Sequence, residues 1–515
     1  VVISTVTSNY KTENCTYLFP QKCVKGENTM SKLNKAAQGI KTHNGAPAKN
    51  IDAEAQLRRS VMSCLLWEKE YYENGKKIAD RIAELVPKVA PDVVADMAIY
   101  ARNVMNLRHV PLYLTSLMAK LPSHRQFVRR VVGNVVNRPD ELGELLAMYF
   151  GQSKKTTPIA SSLKKGLADA FCKFNEYQLA KYNREEGFKL RDVLFLTHPK
   201  PANAEQELLW KKLIGGFCKN CGKSHYSKDT KKVELVTETC SNYEEMRLST
   251  PDTWEVALSS GGDKKSHWTR LLEEGKLGAL ALLRNLRNMR EAGVAKDKIE
   301  NAFSKVNLSK VLPYRYIAAA KYAPYLEDVL EKAMFKSLLF ENKMEGRTVL
   351  LLDISGSMDR KLSDKSDLDR IDAACGLAML LREICEEVEI YTFSRDLKHI
   401  APRHGFALRD AVVHSQEHGS TYLGSAVKAV YAKEGSNVPV VVRSQQITTF
   451  KGQGLSPDRL IVITDEQSDD VVPNPSGVGY MINVASNKNG VGYGAWTHVD
   501  GFSESVVRWI QEMEN

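Results

Sequence analysis

The pentapeptide Asp353-Ile354-Ser355-Gly356-Ser357 supplies a carboxylate and two hydroxyls at alternate positions, and its glycine lets the loop turn tightly. It ends an apolar run, residues 349–354, that reads as a strand. Further along, Gly419-Ser420-Thr421 precedes a helical stretch, and Asp465 ends another apolar run, 460–464. Asp353, Ser355, Ser357, Thr421 and Asp465 are thus oxygen ligands on three loops. Hard oxygen donors suit an octahedral divalent ion, Mg2+ above all, which tends to keep several waters. Two carboxylates and three hydroxyls leave coordination positions open, so an acidic group from a partner can complete the shell. For the pentapeptide alone, a turn whose Ser and Asp cap the next helix is the plainer account. Thr421 and Asp465, following in order at a loop and a strand end, favour the metal. No nucleophile stands beside a base, and the carboxylates are too few and too scattered for a two-metal nuclease. No catalytic residue is expected.

A second constellation is cationic. Lys164 and Lys165 are followed by Lys181, Arg184, Lys189 and Arg191, with Tyr182 and Phe188 interleaved and His198 before a Pro-containing loop. Cations in series can track a phosphate path, and aromatics beside them are what stacking on unpaired bases requires. Arg284, Arg287 and Asn288 recur at steps of three and four, the spacing of one helix face, and are placed to line a channel. The bland alternatives are a solvated charge stripe, aromatics that belong to the core, and a histidine that satisfies a loop carbonyl.

The nine cysteines show no paired framework, and reduced thiols of a cytoplasmic protein are the simplest account. Cys218-Lys-Asn-Cys221, followed by His225 and Cys240, has a zinc-like first spacing. The gap to Cys240 is loose, and an inert insertion is the plainer reading.

Two kinds of structure must position these groups. From about residue 51 to 343 the pattern is helical: Leu57, Val61 and Leu65 keep a step of four, and Ile78, Ile82 and Leu85 continue it. After Pro91, Val94, Met97, Ala101 and Val104 fall on one face, and further helices are expected at 111–121, 125–136, 139–149, 159–174 and 277–290. Short helices with short links suggest stacked antiparallel pairs, an α-solenoid of HEAT-like helices. From Arg347 the period changes. Apolar strands at 349–354, 389–393, 460–464 and 480–484 alternate with helices at 368–388, 423–431 and 503–512. That is the pattern of a parallel sheet covered on both faces, a doubly wound α/β domain that binds ligands beyond the carboxyl ends of its strands. Residues 435–457 read as a long loop. The expected organisation is an extension and flexible lead-in (1–50), a helical domain (51–345) and an α/β domain (346–515).

With 515 residues, 43% apolar and 26% charged, the chain is expected to be globular and of two or more domains. No apolar run approaches the roughly 18 residues of a membrane span, and no secretory signal is read at the N-terminus. The net charge of +10 is unevenly placed: residues 346–515 carry 17 basic and 23 acidic residues, so the remainder stands at +16. A basic part of that size points to a polyanion, nucleic acid ahead of membrane, with a solvated cationic surface as the alternative.

The Asp353–Ser357, Thr421 and Asp465 pattern resembles the metal-ion-dependent adhesion site of the von Willebrand factor A domain family. That resemblance implies that Ser355, Ser357 and Thr421 contact the ion, that Asp353 and Asp465 act directly or through water, and that the domain binds without catalysing. A basic helical part leading into such a domain is similar to the Ro autoantigen (TROVE) family of RNA-binding proteins, in its bacterial or phage form. The stretches that carry it are Leu57-Arg-Arg-Ser60, Leu107-Arg-His-Val-Pro111, residues 181–203, Ala281-Leu-Leu-Arg-Asn-Leu-Arg287 and the link 324–340. The resemblance implies a monomeric ring of HEAT-like helices closed by the A domain. It also implies a Y-like small RNA on the outer surface, at Lys164, Lys165, Lys181, Lys189, Arg191 and His198, and misfolded noncoding RNA entering the ring by a single-stranded end. In bacterial relatives an exoribonuclease is the further partner. The competing expectation is a protein-interaction scaffold whose A domain recruits an acidic partner through its ion.

Overall fold

The computed structural model describes residues 41–62, 78–151, 158–183, 187–225, 240, 242–308, 311, 313–337, 343–362, 366–485, 489–502 and 505–514. After a short strand β1 (Lys49–Asn50), the described residues form a succession of helices: α1 (Ala53–Met62), α2 (Ile78–Leu85), α3 (Pro91–Asn103), α4 (His109–Lys120), α5 (Arg125–Val135), α6 (Pro139–Phe150), α7 (Ser161–Phe171), α8 (Glu176–Tyr182), α9 (Leu190–Thr197) and α10 (Ala204–Ile214). The succession continues as α11 (Trp254–Ser259), α12 (Lys264–Glu273), α13 (Ala279–Arg284), α14 (Leu286–Glu291), α15 (Lys296–Lys305), α16 (Pro313–Tyr322) and α17 (Glu327–Ser337).

Local chemistry sets these boundaries. Pro91 and Pro139 open α3 and α6, where a missing N–H costs nothing. At α6 the Glu141 carboxylate also accepts the backbone N–H groups of Asn137 and Arg138, at 2.8 and 3.0 Å. Valines 128, 131, 132 and 135 bury one face of α5. Gly166 of α7 lies over it so closely that a Cβ there would stand 2.9 Å from the Val132 side chain.

The helix expected over 277–290 is interrupted. Asn285 is buried, its side-chain amide donates to the Ala281 carbonyl, and its backbone leaves the helical region between α13 and α14. The stretch expected at 159–174 is a helix only over α7.

The second part is built on a six-stranded sheet of order β10-β8-β7-β2-β3-β4. Its strands are β2 (Met344–Asp353), β3 (Cys385–Phe393), β4 (Leu397–Ile400), β7 (Arg459–Thr464), β8 (Val478–Asn483) and β10 (Thr497–Asp500). All pairs are parallel except β3–β4, which places an antiparallel strand at one edge. The helices α18 (Arg370–Ile384), α19 (Gly405–Val413), α20 (Leu423–Tyr431) and α21 (Ser505–Glu514) accompany it. Alternate residues of the central strands serve two cores. Val349, Leu351, Leu460 and Val462 face one, while Leu350, Leu352, Ile461 and Ile463 join the core that continues into the helical part.

Two expectations change here. The helix expected to reach Val388 stops at Ile384, because Cys385 already begins β3. Residues 435–457 contain a hairpin rather than a long loop, β5 (Asn437–Val442) paired with β6 (Gln445–Lys451). Arg443 and Ser444 turn it with φ of 49° and 68°. The usual signal for that turn is Asn-Gly, and its absence hid the hairpin.

Both ends of the helical part meet the α/β domain. At the start, α1 contacts β10 and β1 pairs antiparallel with β9 (Asn489–Gly490). At the end, α16 packs on α18 and α17 on α19. The chain therefore closes on itself. Residues 41–47, read from the sequence as part of a flexible lead-in, are tied to the loop after β7. Thr42 Oγ1 donates to the Ser468 carbonyl at 2.7 Å, the His43 N–H to Gln467 Oε1 at 2.7 Å, and Asn44 Nδ2 to the Gln467 carbonyl at 2.8 Å.

Candidate metal centre and nucleic-acid interface

Asp353 ends the fully buried segment of β2, and both its oxygens are engaged: Oδ1 accepts the Ser355 N–H at 2.8 Å and Oδ2 the Thr464 hydroxyl at 2.5 Å. The hydroxyls of Ser355 and Ser357 lie 3.2 Å apart. The Gly356 N–H donates to the Gly419 carbonyl at 2.9 Å, which holds the first loop against the second. Thr421 is fixed on that second loop by Asp469, whose carboxylate accepts its N–H at 2.7 Å and whose own N–H donates back at 2.8 Å. The topology thus brings the three predicted hydroxyls and Asp353 to one edge of the sheet. Ser357 and Thr421 share a cleft of about 220 Å³ with Gly356, Gly419, Arg360, His43 and Asn44. His43 and Asn44 were not legible as part of this site, because nothing in a polar stretch before the first helix signals where it docks.

Asp465 stands differently. It ends β7 as expected, but its Oδ2 accepts Arg370 Nη1 at 2.8 Å, with both side chains buried. It therefore fits the role of a carboxylate acting from behind the site better than that of a direct ligand. Burial, and next the charge of Asp465, push the Asp353 carboxyl up to about 7. A divalent cation beside it would reverse that penalty. The donor set is all oxygen, so Asp353, Ser355, Ser357 and Thr421 fit a Mg2+ ion.

The cationic constellation lies on α7, α8 and α9. Lys165, Lys181, Arg191 and His198 are exposed, and Lys164 and Lys189 half-buried. Among the described residues no carboxylate pairs with Lys164, Lys165 or Lys181, while Arg191 stands 3.9 Å from Asp192. Lys189 begins α9 as its N-cap, and His198 ends it in a left-handed conformation. Arg184 lies outside the described residues.

The aromatics divide. Tyr182 sits under the Arg138 guanidinium at 4.5 Å, with Lys181 at 5.7 Å. Phe188 stacks on Phe150 at 5.6 Å and belongs to the core side. The better platforms are ones the sequence reading passed over: Tyr177 and Phe195, each about half exposed on the same helices. An exposed aromatic inside an otherwise amphipathic helix was the available signal.

Arg284, Arg287 and Asn288 are exposed but do not share one helix, since the break at Asn285 separates the first from the other two. Arg287 lies 3.7 Å from Glu291 and faces the Tyr322 ring at 5.9 Å. Other basic residues are structural. Arg108 pairs with Asp140 at 2.9 Å and Glu144 at 2.5 Å, and Arg102 with the fully buried Glu141 at 2.7 Å.

Residues 48–245 and 237–348 match the TROVE domain, which accounts for more than half of the chain. The chain belongs to the TROVE family. Its TROVE region contains Arg59, Arg108 and every candidate of the cationic constellation, while the candidate metal centre lies beyond it. The crystal structure of the Deinococcus radiodurans RO (RSR) protein is similar over 90% of this chain and 100% of its own, with a TM-score of 0.51 and 16% identity. That likeness establishes the fold for both parts of this TROVE protein. Telomerase protein component 1 of Mus musculus is 24% identical over 341 residues, 52% of this chain and 13% of its own length. The Rattus norvegicus protein of the same name is 24% identical over 321 residues, 50% of this chain and 12% of its own. This TROVE chain therefore spans about an eighth of the length of those curated relatives. Among the described residues no helix is long and apolar enough to cross a membrane.

Proposed function

We propose that this TROVE protein is the RNA-binding ring of a ribonucleoprotein. It holds a Y-like small RNA on the outer face of α7–α9 and captures structured or misfolded noncoding RNA by a single-stranded end, for quality control or degradation. The observation that carries the reading is the surface of α7 and α8, where Lys164, Lys165 and Lys181 have no carboxylate partner among the described residues and Tyr177, half exposed, has Lys181 5.9 Å from its ring. Unpaired cations release counterions when phosphates approach, and exposed rings accept bases without regard to sequence. Arg284 and Arg287 contact RNA that passes through the ring. The protein acts by binding and not by catalysis, in the cytoplasm, as a monomer. An exoribonuclease is the partner that would trim or destroy the captured RNA.

A second reading is favoured by the cleft over Ser357 and Thr421, where Arg360 and His43 stand beside the hydroxyls. Asp353, Ser355, Ser357 and Thr421 would hold Mg2+, which when bound offers an open coordination position to a carboxylate. The protein's own residues orient that carboxylate, with Arg360 beside it in the cleft. On this account the A-like domain recruits an acidic protein partner.

Isolating the protein from its native host and sequencing the RNA that accompanies it tests the first reading. The expected result is one abundant small structured RNA, lost when Lys164, Lys165 and Lys189 are each replaced by Glu. No enriched RNA, or RNA retained by that triple variant and lost in Asp353→Ala, would overturn it in favour of the second.

A further inference from the structure

Between α10 and α11 the chain makes an insertion whose described residues form no helix and have little apolar core. What is buried there is chiefly Cys218, His225 and Cys240, with Met246. Segments this small and this polar do not hold a fold by burial alone, and they commonly rely on a disulfide or a metal.

The local backbone is that of a tight knuckle. The Cys218 N–H donates to the Lys223 carbonyl at 3.0 Å and the Gly222 N–H to the Cys218 carbonyl at 2.8 Å. Gly222 sits at φ +68°, a conformation that allows the chain to reverse directly after Cys221. Residues 244–246 lock the turn from the other side through an antiparallel bridge: the Lys219 N–H donates to Glu244 O and the Met246 N–H to Phe217 O, both at 2.7 Å.

Four potential ligand atoms converge on this knuckle. The sulfurs of Cys218 and Cys240 are 3.6 Å apart, Cys221 Sγ is 3.2 Å from His225 Nε2, and all four ligand atoms lie within 4.8 Å of one another. A tetrahedral zinc site with Zn–S bonds of about 2.3 Å has sulfur–sulfur edges of about 3.8 Å, close to these separations. The Tyr243 ring lies against that of His225, with centroids 4.9 Å apart and planes tilted by 45°. A Cys218–Cys240 disulfide would require the sulfurs to close to about 2.05 Å, and it would leave Cys221 and His225 converging for no reason.

We propose that Cys218, Cys221, His225 and Cys240 bind one zinc ion in a closed Cys3His site that folds the insertion. With four protein ligands there is no open position, so the ion is structural and its uptake displaces the thiol protons. The loose sequence gap before Cys240 is no obstacle, because the pairing of residues 217–219 with 244–246 brings the fourth ligand back. The site also has a defined neighbourhood. Glu176 at the start of α8 accepts the Ser249 N–H at 3.1 Å and pairs with Lys212 of α10 at 2.9 Å, so the insertion is moored to the helices of the cationic face.

Metal analysis of the full chain, purified without chelator and dialysed against magnesium, tests the site independently of RNA binding. The expected content is about one zinc per chain, falling at least about tenfold in Cys221→Ser and Cys240→Ser, retained in His225→Cys, and unchanged in Asp353→Ala. Cobalt in place of zinc should give thiolate charge-transfer bands and the visible spectrum of a tetrahedral ion. Should the serine variants precipitate, a mercurial titrated into the wild-type protein must release zinc in step with thiol modification. Wild-type protein with less than about a tenth of a zinc per chain and no tetrahedral cobalt spectrum would overturn the proposal. So would a Cys218–Cys240 disulfide, or zinc lost in Asp353→Ala and kept in Cys221→Ser.

Discussion

Arg59 and Glu466 are 407 residues apart in sequence and meet at 3.0 Å, with neither side chain exposed to solvent. The same guanidinium donates from Nε to Asp500 at 2.9 Å, and the Tyr493 ring lies 5.2 Å from it and stacks on His498. This network joins α1 to the far edge of the sheet and so closes the chain. Replacing Arg59 by Leu strands two buried carboxylates, which typically costs about 3–5 kcal/mol. Denaturant unfolding of Arg59→Leu should show that loss, and limited proteolysis should cut first near residues 41–62. A loss under about 1 kcal/mol, with unchanged proteolysis, would mean the joint is held by its apolar contacts alone.

The network also sets a pH window. Burial resists ionisation of Glu466, but Arg59 and His498 outweigh it and hold the carboxyl down at about 2. Burial likewise opposes the charge on His498, yet Asp500 and Glu466 raise it above its ordinary value of 6.5. A depressed carboxylate stabilises the fold above its unfolded value and loses that contribution as pH falls. A raised histidine stabilises it below its unfolded value and loses that contribution as pH rises through the folded one. The closure should therefore be firmest between about 4.5 and 6.5. The difference in stability between wild type and His498→Gln, measured across pH, should shrink on the alkaline side; a constant difference would contradict the assignment.

Magnesium should stabilise the wild-type protein through Asp353, Ser355, Ser357 and Thr421. At a concentration of a hundred times the dissociation constant the gain is about 2.7 kcal/mol. Thermal unfolding with and without Mg2+ should show it, and Thr421→Ala should abolish it while leaving RNA affinity unchanged. Equal stabilisation of both proteins would remove Thr421 from the site.

RNA affinity should fall linearly with the logarithm of salt concentration, with each phosphate-pairing cation contributing about 0.7–0.9 to the slope. Alanine at Lys164, Lys165 and Lys181 together should lower the slope by about two units. A slope equal to that of wild type would assign these lysines to a solvated face.

How much of this was legible in the sequence depended on how local the signal was. The strand before Asp353, α20 and the proline-started helices α3 and α6 were visible because periodicity and caps are written within a few residues. The hydroxyls of Ser355, Ser357 and Thr421 could be singled out for the same reason, each lying at a recognisable strand end or loop, and the fold brings them together. Arg59 was seen only within Leu57-Arg-Arg-Ser60, a stretch that carries the family resemblance, since its partners Glu466 and Asp500 are more than 400 residues away. The hairpin turned by Arg443 and Ser444 was hidden by atypical turn residues, and the break at Asn285 by a side chain competing with the helix for its own carbonyl. All four residues of the knuckle were visible in sequence, but the loose gap before Cys240 favoured an inert insertion, and only the backbone pairing of 217–219 with 244–246 shows that the four converge.

Gly143 gives a test of the cationic face that touches no charge. It lies on α6 against the chain just before α9, where an added Cβ would stand 2.5 Å from the Phe188 carbonyl oxygen. That contact is with backbone and not with a flexible tip, so Gly143→Ala must displace Phe188 from its stack on Phe150 and shift Lys189, the residue that caps α9. Overpacking of this kind typically costs about 1–3 kcal/mol. The comparison is Gly133→Ala on α5, where nothing lies within 4 Å of the new methyl. In a helix interior that change should be neutral or stabilise by up to about 1 kcal/mol. If α9 presents Lys189 and Arg191 to RNA, filter binding should show weaker affinity for Gly143→Ala and an unchanged value for Gly133→Ala. Equal affinities, with the stability loss confirmed, would mean that the position of α9 does not matter to the RNA and that the contact surface lies on α7 and α8 alone.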